Sequence, residues 1–398
     1  MVLLAIFLAA FELLAAPVLV LVALVSRGRS KPIDVGLGPE PLINNIYHQR
    51  ALALHGYTAE TFVNAVYFIT AKFDVRADRW LRGFRPGSLR FCLVSLVLTM
   101  RACWRYRAIY ISFNGGPLGA GTVWLWRLEP RLLRLARVRT LILPYGSDVQ
   151  DMQLCSNFSF KQAKACDYPT DRRRVARVKA QVQLWTMGAD HIVGGCEWVD
   201  YMGYWDTLML AHFSIDTDPP MPEAPPPRPA NAPLRIIHAP NHRTIKGTRF
   251  FVDAVEQLRA EGCAVELVLL EKVPNDQVRA AIQAADVVAD QLIVGWYAMF
   301  ALEGMVMRKP VLCFLRPDLK ALYERYELVR PGEIPIVECT PETVKEAIRG
   351  LVQRRAELPA LGERSREYAI RHHSLPAVGA VFDQINRKLG LVPARARP

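Results

Sequence analysis

Short apolar runs that end in a glycine loop and give way to a helical stretch recur along this chain, and that rhythm limits the folds open to it. "KPIDVGLGPEPLINN", "RAIYISFNGGPLGAG", "RTLILPYGSDV" and "DHIVGGCEWVDYM" are four such units in the first half. Each reads as a buried strand leading through glycine into a helix, and a series of them winds a parallel sheet. Ligands of such sheets bind beyond the C-terminal ends of the strands, where these glycine loops fall. At 216–233, "DTDPPMPEAPPPRPANAP", the rhythm stops in eight prolines with no apolar periodicity, which reads as a polyproline-type linker. It then restarts: "LRIIHAP" as strand, "GTRFFVDAVEQLRAEG" as helix, "AVELVLLE" as strand, "NDQVRAAIQAA" and "MFALEGMVMR" as helices, and "KPVLCFL" as strand. The expected architecture is α/β, with two Rossmann-like doubly wound domains. A chain of 398 residues has material for both cores.

Ahead of the first unit, "VLLAIFLAAFELLAAPVLVLVALV" runs from Val2 to Val25 with one charge, Glu12, and one proline, Pro17. It exceeds the ~20 residues that span a bilayer and lacks the basic start of a cleaved signal peptide. Residues 1–26 are therefore expected to be a single-pass membrane anchor, a transmembrane helix. Arg27, Arg29 and Lys31 follow it, and by the positive-inside rule the rest of the chain faces the cytoplasm from the inner membrane. Glu12 is costly at mid-membrane and calls for a partner helix or a proton. A second apolar stretch, Phe91–Met100, is too short to span and lies inside 78–107. Arg79, Arg82, Arg85 and Arg90 flank it on one side and Arg101, Arg105 and Arg107 on the other, with Trp80, Phe84 and Trp104 interleaved. It reads equally as an amphipathic helix on anionic headgroups and as a buried domain helix with solvated basic ends.

The net charge of +12 favours an anionic membrane surface or a polyanion, and no nucleic-acid-binding module accompanies it, so no nucleic-acid partner is expected. Hydrophobic residues at 51% and charged ones at 22% exclude a disordered chain. Eight cysteines, with no CxxC pair and no His/Cys cluster, argue against a disulfide framework and a zinc site, and are expected to be buried thiols. "GLGPEP" lacks the third glycine of a dinucleotide fingerprint, so an oxidoreductase is not indicated.

At 238–258, "HAPNHRTIKGTRFFVDAVEQL" gathers His238, His242, Arg243 and Lys246 beside Gly247 where a strand gives way to a helix. Such a cluster is either an anion site at a helix N-terminus or a basic surface loop. In the first half, Asn114, Gly115 and Gly116 of "FNGGPLG" and Gly146, Ser147 and Asp148 of "YGSD" end neighbouring strands. Asp148 reads as a contact for a bound group, or as a cap on the next helix.

The segments "RTIKGTRFFVDAVEQL" and "AADVVADQLIVGWYAMFALEGMVMRKPVL", and the spacing between them, resemble the donor-binding domain of the family-4 glycosyltransferases (glycosyl transferases group 1). "LPYGSDV" and "FSIDTD" are similar to parts of that family's acceptor domain. The resemblance implies a GT-B fold, two Rossmann-like domains facing a cleft. It makes 32–215 the acceptor-side domain, 216–233 the linker and 234–373 the nucleotide-sugar-binding domain, with 374–398 a helix and tail packing back across the junction. It implies a glycosyltransferase that moves a sugar from a nucleotide-diphosphate donor to a lipid-linked or cell-envelope glycan acceptor with retention, as part of polysaccharide biosynthesis. No cofactor and no metal are implied. Arg243, Lys246 and Glu303 would be catalytic, cations on the diphosphate and a carboxylate on the ribose. His238, Asn241, His242, Gly247, Asp290, Gln291, Gly295, Trp296, Tyr297, Ala298, Met299 and Phe300 would line the donor. Asp148 would contact an acceptor hydroxyl. Two positions depart from the family pattern: Gly295 replaces the first of two glutamates eight apart, and Asn241 stands where an arginine is usual. Gly295 keeps open a GT-B scaffold that binds without catalysis, and the fold itself, which epimerases can share, keeps open a nucleotide-sugar epimerase.

Overall fold

The computed structural model describes residues 2–66, 70–85, 87–218, 229 and 232–393. The proline-rich linker expected at 216–233 lies for the most part outside the described residues, as does the end of the C-terminal tail. The described chain forms two compact units that are not contiguous in sequence. Unit 1 takes residues up to 151, 174–208 and 378 onward; unit 2 takes 152–173 and 209–377. Residues 152–173, assigned to the first domain by sequence, thus fold with the second.

Unit 1 is built on a sheet of seven parallel strands: β1 (Ile33–Leu37), β2 (Ala59–Val63), β3 (Val75–Arg76), β4 (Tyr106–Ile111), β5 (Arg139–Ile142), β6 (His191–Gly194) and β7 (Thr207–Leu208). Their order is β3-β2-β1-β4-β5-β6-β7. The order reverses between β1 and β4, the switch point at which such sheets open a crevice. β1, β4 and β6 are buried on both faces over most of their length, which is why they read as largely apolar runs. The final helix (Leu375–Lys388) sends its residues from 378 onward into this unit. There Phe382 packs on His48 and Tyr110, Tyr110 Oη lies 2.9 Å from Asn386 Oδ1, and Tyr57 Oη donates to Asp383 Oδ1 at 2.8 Å.

The apolar N-terminal helix (Val2–Ser26) belongs to unit 1. Leu8, Phe11, Ala15, Ala16 and Leu19 pack against Cys92, Leu96, Leu118, Leu125, Trp126 and Leu132. The Gly87–Arg105 helix beside it buries Val94, Ser95, Leu98, Thr99 and Ala102 as well. Of the arginines that flank its apolar centre, Arg90 donates to the carbonyls of Asp78 and Trp80, and Arg101 and Arg105 both pair with Glu60, while Arg79, Arg82 and Arg85 are exposed. This helix packs into unit 1 as a domain helix does. Lys31, expected as a flanking surface charge, is buried and donates to the carbonyls of Cys103 at 2.6 Å and Ala136 at 2.7 Å. Burial lowers its pKa to about 8.

Unit 2 is a sheet of five parallel strands: β8 (Leu234–His238), β9 (Val265–Leu269), β10 (Val287–Ala289), β11 (Val311–Cys313) and β12 (Ile336–Glu338), in the order β12-β11-β10-β8-β9. Its switch point lies between β8 and β10. Leu234, Ile236, Val287, Ala289 and Leu312 from the sheet meet Phe251, Val255 and Leu258 of the Thr248–Ala260 helix and Val344, Ile348 and Leu351 of the Val344–Gln353 helix. Six cysteines are buried, but Cys263 is half-buried and Cys166 is exposed, so the expectation of buried thiols fails at those two.

Candidate functional site

The loops that leave β8 and β10 meet at the switch point of unit 2. After β8 the chain makes a single helical turn, Arg243–Lys246, which Gly247 ends in the left-handed region at φ 72°. A side chain there would crowd Leu292 and Ile293, so glycine lets this turn lie against the loop after β10. The Lys246 carbonyl accepts from Leu292 N at 3.2 Å. The Lys246 ammonium donates to Asp290 Oδ1 at 2.8 Å, and Asp290 Oδ2 accepts from Ala298 N at 2.8 Å. Ala298 caps the Met299–Val306 helix, whose first-turn amides on Met299 and Phe300 have no intrahelical acceptor. A partly exposed cation and an open helix N-terminus are thereby joined through one buried aspartate.

Glu303 sits in that helix, buried, with Oε1 accepting from Asn275 Nδ2 at 2.7 Å. Burial raises its pKa to about 7, against the opposing pull of the Asn275 hydrogen bond. Gln291 is also buried and ties the β10 loop to β11 through its carbonyl, which accepts from Phe314 N at 2.8 Å.

Other residues expected at the site are placed differently. His238 lies in the core: its ring nitrogens are 2.7 Å from the Ala289 carbonyl and 2.9 Å from the Thr248 hydroxyl. Burial pushes its pKa down to about 4, so it brings no charge to an anion. Arg243 projects outward into a bidentate pair with Glu271 at 2.8 and 2.6 Å. Asn241 is exposed, and the His242 ring bonds the Tyr168 hydroxyl. The side chains of Trp296 and Tyr297 are buried, Trp296 against Tyr323 and Tyr297 with its hydroxyl 2.8 Å from that of Tyr368 and 2.9 Å from His373 Nε2. Only the backbone of this aromatic pair is left to serve a ligand.

Gly295 explains its own departure from the family pattern. Its φ is 98°, and a Cβ placed on it would sit 2.5 Å from Cγ of Arg316. Arg316 is buried over the glycine, donates its backbone N–H to the Gly295 carbonyl at 2.9 Å, and forks onto Asp318. A glutamate has no room here. Arg316 and Asp318 also line a cavity of about 380 Å³ beyond the ends of β10, β11 and β12, with Asn157, Ile293, Thr340 and Glu342. Lys246 and Glu303 do not line it.

Sequence reading missed the clamp that 152–173 forms on these loops. Asn157 Nδ2 donates to the Ile293 carbonyl at 2.7 Å, while Asp167 Oδ2 accepts from Ile245 N at 2.8 Å. Both residues come from a stretch that looked like part of another domain.

In unit 1, the loops after β1, β4 and β5 carry the acceptor-side candidates. Asp148 is buried and accepts from the backbone N–H groups of Phe113, Tyr145 and Gly146, so it closes turns and holds the loops together. Gly116 N–H donates to Glu129 at 3.0 Å, Gly115 takes a left-handed turn, and Asn114 donates to the Tyr145 hydroxyl at 2.7 Å. Gly146 is likewise left-handed, at φ 127°. A further carboxylate, Glu40, stands half-buried just after β1. Burial, and next the nearby Asp148, raise its pKa to about 7, opposed by hydrogen bonds from Asn114 and Ser112. Its place after a strand–glycine–proline run was the available signal, since that loop ends at the switch point.

No protein-family model and no curated protein sequence matches this chain. Solved structures do. Sucrose-phosphate synthase from Thermosynechococcus elongatus superimposes with a TM-score of 0.61 at 13% identity, over 91% of this chain and 99% of that one. The Anabaena protein HepE, solved in complex with UDP and glucose, gives 0.52 at 11% identity, over 91% of this chain and 100% of that one. Its complex with UDP gives 0.54 at 11% identity, over 90% and 100%. At these identities the likeness is one of fold, and the fold is GT-B, that of glycosyltransferases.

Proposed function

We propose that this protein is a membrane-associated glycosyltransferase whose unit 2 holds a nucleotide-diphosphate sugar. The observation that carries the reading is the Lys246–Asp290–Ala298 link at the switch point, with Glu303 in the helix that Ala298 caps. The donor's diphosphate takes the Lys246 ammonium and the open amides of Met299 and Phe300, while Asp290 keeps the Ala298 N–H. Glu303 accepts from a ribose hydroxyl. Breaking the bond between sugar and diphosphate adds negative charge to the leaving group, and a fixed cation with a helix N-terminus stabilises that charge as it develops. Arg243 adds a second cation by leaving Glu271. The reaction so drawn uses no bound metal and no organic cofactor. Attack from the leaving-group face, helped by the donor's own phosphate, retains the anomeric configuration and calls for no paired general base.

Unit 1 receives the acceptor at the ends of β1 and β4, where Glu40 and Asn114 offer partners to a hydroxyl. The apolar N-terminal helix and the basic surface favour a lipid-linked or cell-envelope glycan at the cytoplasmic face of the inner membrane. Uridine donors are the first to try, because HepE was solved with UDP. Incubation of the full-length protein with labelled nucleotide sugars and a membrane lipid extract is expected to give a lipid-soluble labelled glycoside of the donor's anomeric configuration by NMR. A second reading, a GT-B scaffold that binds without transferring, is favoured by the covered Gly295. Nucleotide-sugar binding with neither transfer nor hydrolysis would establish it instead.

A further inference from the structure

The N-terminal helix is long enough to cross a membrane, but it is fastened along its length to unit 1. Its one charged side chain, Glu12, is buried and accepts from three consecutive backbone N–H groups: Val123 at 2.6 Å, Trp124 at 2.9 Å and Leu125 at 3.1 Å. Trp124 Nε1 donates back to the Ala9 carbonyl at 3.1 Å. Just past its end, Lys31 is tied to Cys103 and Ala136. The carboxylate that looked costly in a bilayer is an N-terminal cap for the 3-10 turn that follows Trp124. Freeing the helix would strip these amides of their acceptor and open the apolar seam around Leu19, Leu96 and Trp126.

The helix runs alongside Gly87–Arg105 in the same direction, because Glu12 lies near Cys92 and the Arg29 guanidinium stacks 4.6 Å from the Trp104 ring centre. Its outward side is broad and apolar: Leu3, Phe7, Leu14, Val18, Leu21 and Val25 are exposed in a stripe, with Ile6, Leu13 and Leu24 exposed beside it. Basic residues border both ends of the pair. Arg27 and Arg29 are exposed at one end. At the other, where the chain enters the Gly87–Arg105 helix, Arg79, Arg82 and Arg85 alternate in sequence with Leu81 and Phe84, all exposed. A spanning helix would carry one basic end, and the α/β unit fastened to it, through the hydrocarbon. An apolar stripe with arginines at both ends suits a helix lying in the plane of an anionic surface.

We infer that the N-terminal helix is a monotopic anchor: its outer stripe sinks into one leaflet of an anionic bilayer and no part of it crosses. This deepens the membrane reading above and rests on it. The test uses the purified full chain in vesicles of phosphatidylcholine and phosphatidylglycerol at 7:3. Cys166→Ser and Cys263→Ser remove the accessible thiols, and Leu4→Cys, Leu14→Cys and Val25→Cys each receive a nitroxide whose depth is read by paramagnetic resonance with oxygen and a water-soluble nickel complex. The expected result is one shallow depth for all three labels, roughly 5–10 Å below the headgroups. A label at position 14 near the midplane, roughly 15 Å deep, with positions 4 and 25 at opposite interfaces, would show a span and overturn the inference. Failure to float with the vesicles would overturn it too, and would point to a second protein copy on the stripe. Leu14→Glu with Leu21→Glu is expected to weaken flotation at least tenfold while donor binding by the same variant stays unchanged. Loss of donor binding in the unsubstituted chain, with the shallow depths intact, would sink the enzymatic reading and leave the anchor standing.

Discussion

Lys246 and Glu303 divide the work of the proposed donor site, one as a partly exposed cation and the other as a carboxyl whose charge is suppressed by burial. That suppression gives a stability signature with a definite sign. An unfolded glutamate gives up its proton near 4.5, whereas folded Glu303 keeps it to about 7. Across that window the unfolded chain binds fewer protons, so the native state loses stability as pH rises, by up to about 3 kcal/mol, and the loss is complete above it. Glu303→Gln keeps an acceptor for Asn275 and has no such loss. Its Tm is expected to lie close to wild type near pH 4.5 and to exceed it increasingly up to pH 8; parallel curves would show that Glu303 is not suppressed. Lys246 and Gly247 stood out in the sequence because they lie where a strand gives way to a helix, whereas Asp290 and Glu303 were named only through the family resemblance. His238 was misread because burial does not show in a basic-looking string, and Arg316 was missed because its place over Gly295 exists only in three dimensions.

Among the elements, the loop from Asp290 to Ala298 is tightly constrained. Gly295 combines a left-handed backbone with the Arg316 side chain packed where a Cβ would go. Gly295→Ala is expected to cost about 1–3 kcal/mol from backbone strain and overlap, seen as a lowered denaturant midpoint with an unchanged slope. Arg316→Ala in the same chain should recover part of the loss, since the overlap goes while the strain stays. No recovery would mean that the glycine is required for its backbone alone. The buried strands β1, β4, β5, β6, β8 and β11, and the half-buried β9, were legible as apolar runs. The two-residue β3 and β7 offer too little periodicity to read, and β12, whose last residue is exposed, shows only a half-apolar run. The N-terminal helix was legible in length and apolarity but not in attachment, because nothing in the string ties Glu12 to amides more than a hundred positions away.

At the scale of the whole molecule, each unit is completed by a segment from elsewhere in the chain; the family resemblance implied a returning C-terminal helix, whereas a linear reading with one proline-rich boundary cannot show that 152–173 leaves the first domain. Residues 152–173 serve unit 2, where they clamp the loops after β8 and β10. Residues from 378 onward serve unit 1, where Phe382 is fully buried between His48 and Tyr110. Phe382→Ala is expected to cost about 3–5 kcal/mol, and calorimetry should show it as a fall in the unit 1 transition with unit 2 little changed. Equal loss in both would mean that the units unfold together. The central claim, that a nucleotide-diphosphate sugar binds through Lys246, is tested most directly by calorimetric titration of the full-length protein with UDP and UDP-glucose, and with the guanosine counterparts. Saturable binding of at least one nucleotide, weakened at least tenfold (about 1.4 kcal/mol) in Lys246→Ala, is the expected result. Binding of none of them, or equal binding by wild type and variant, would contradict it.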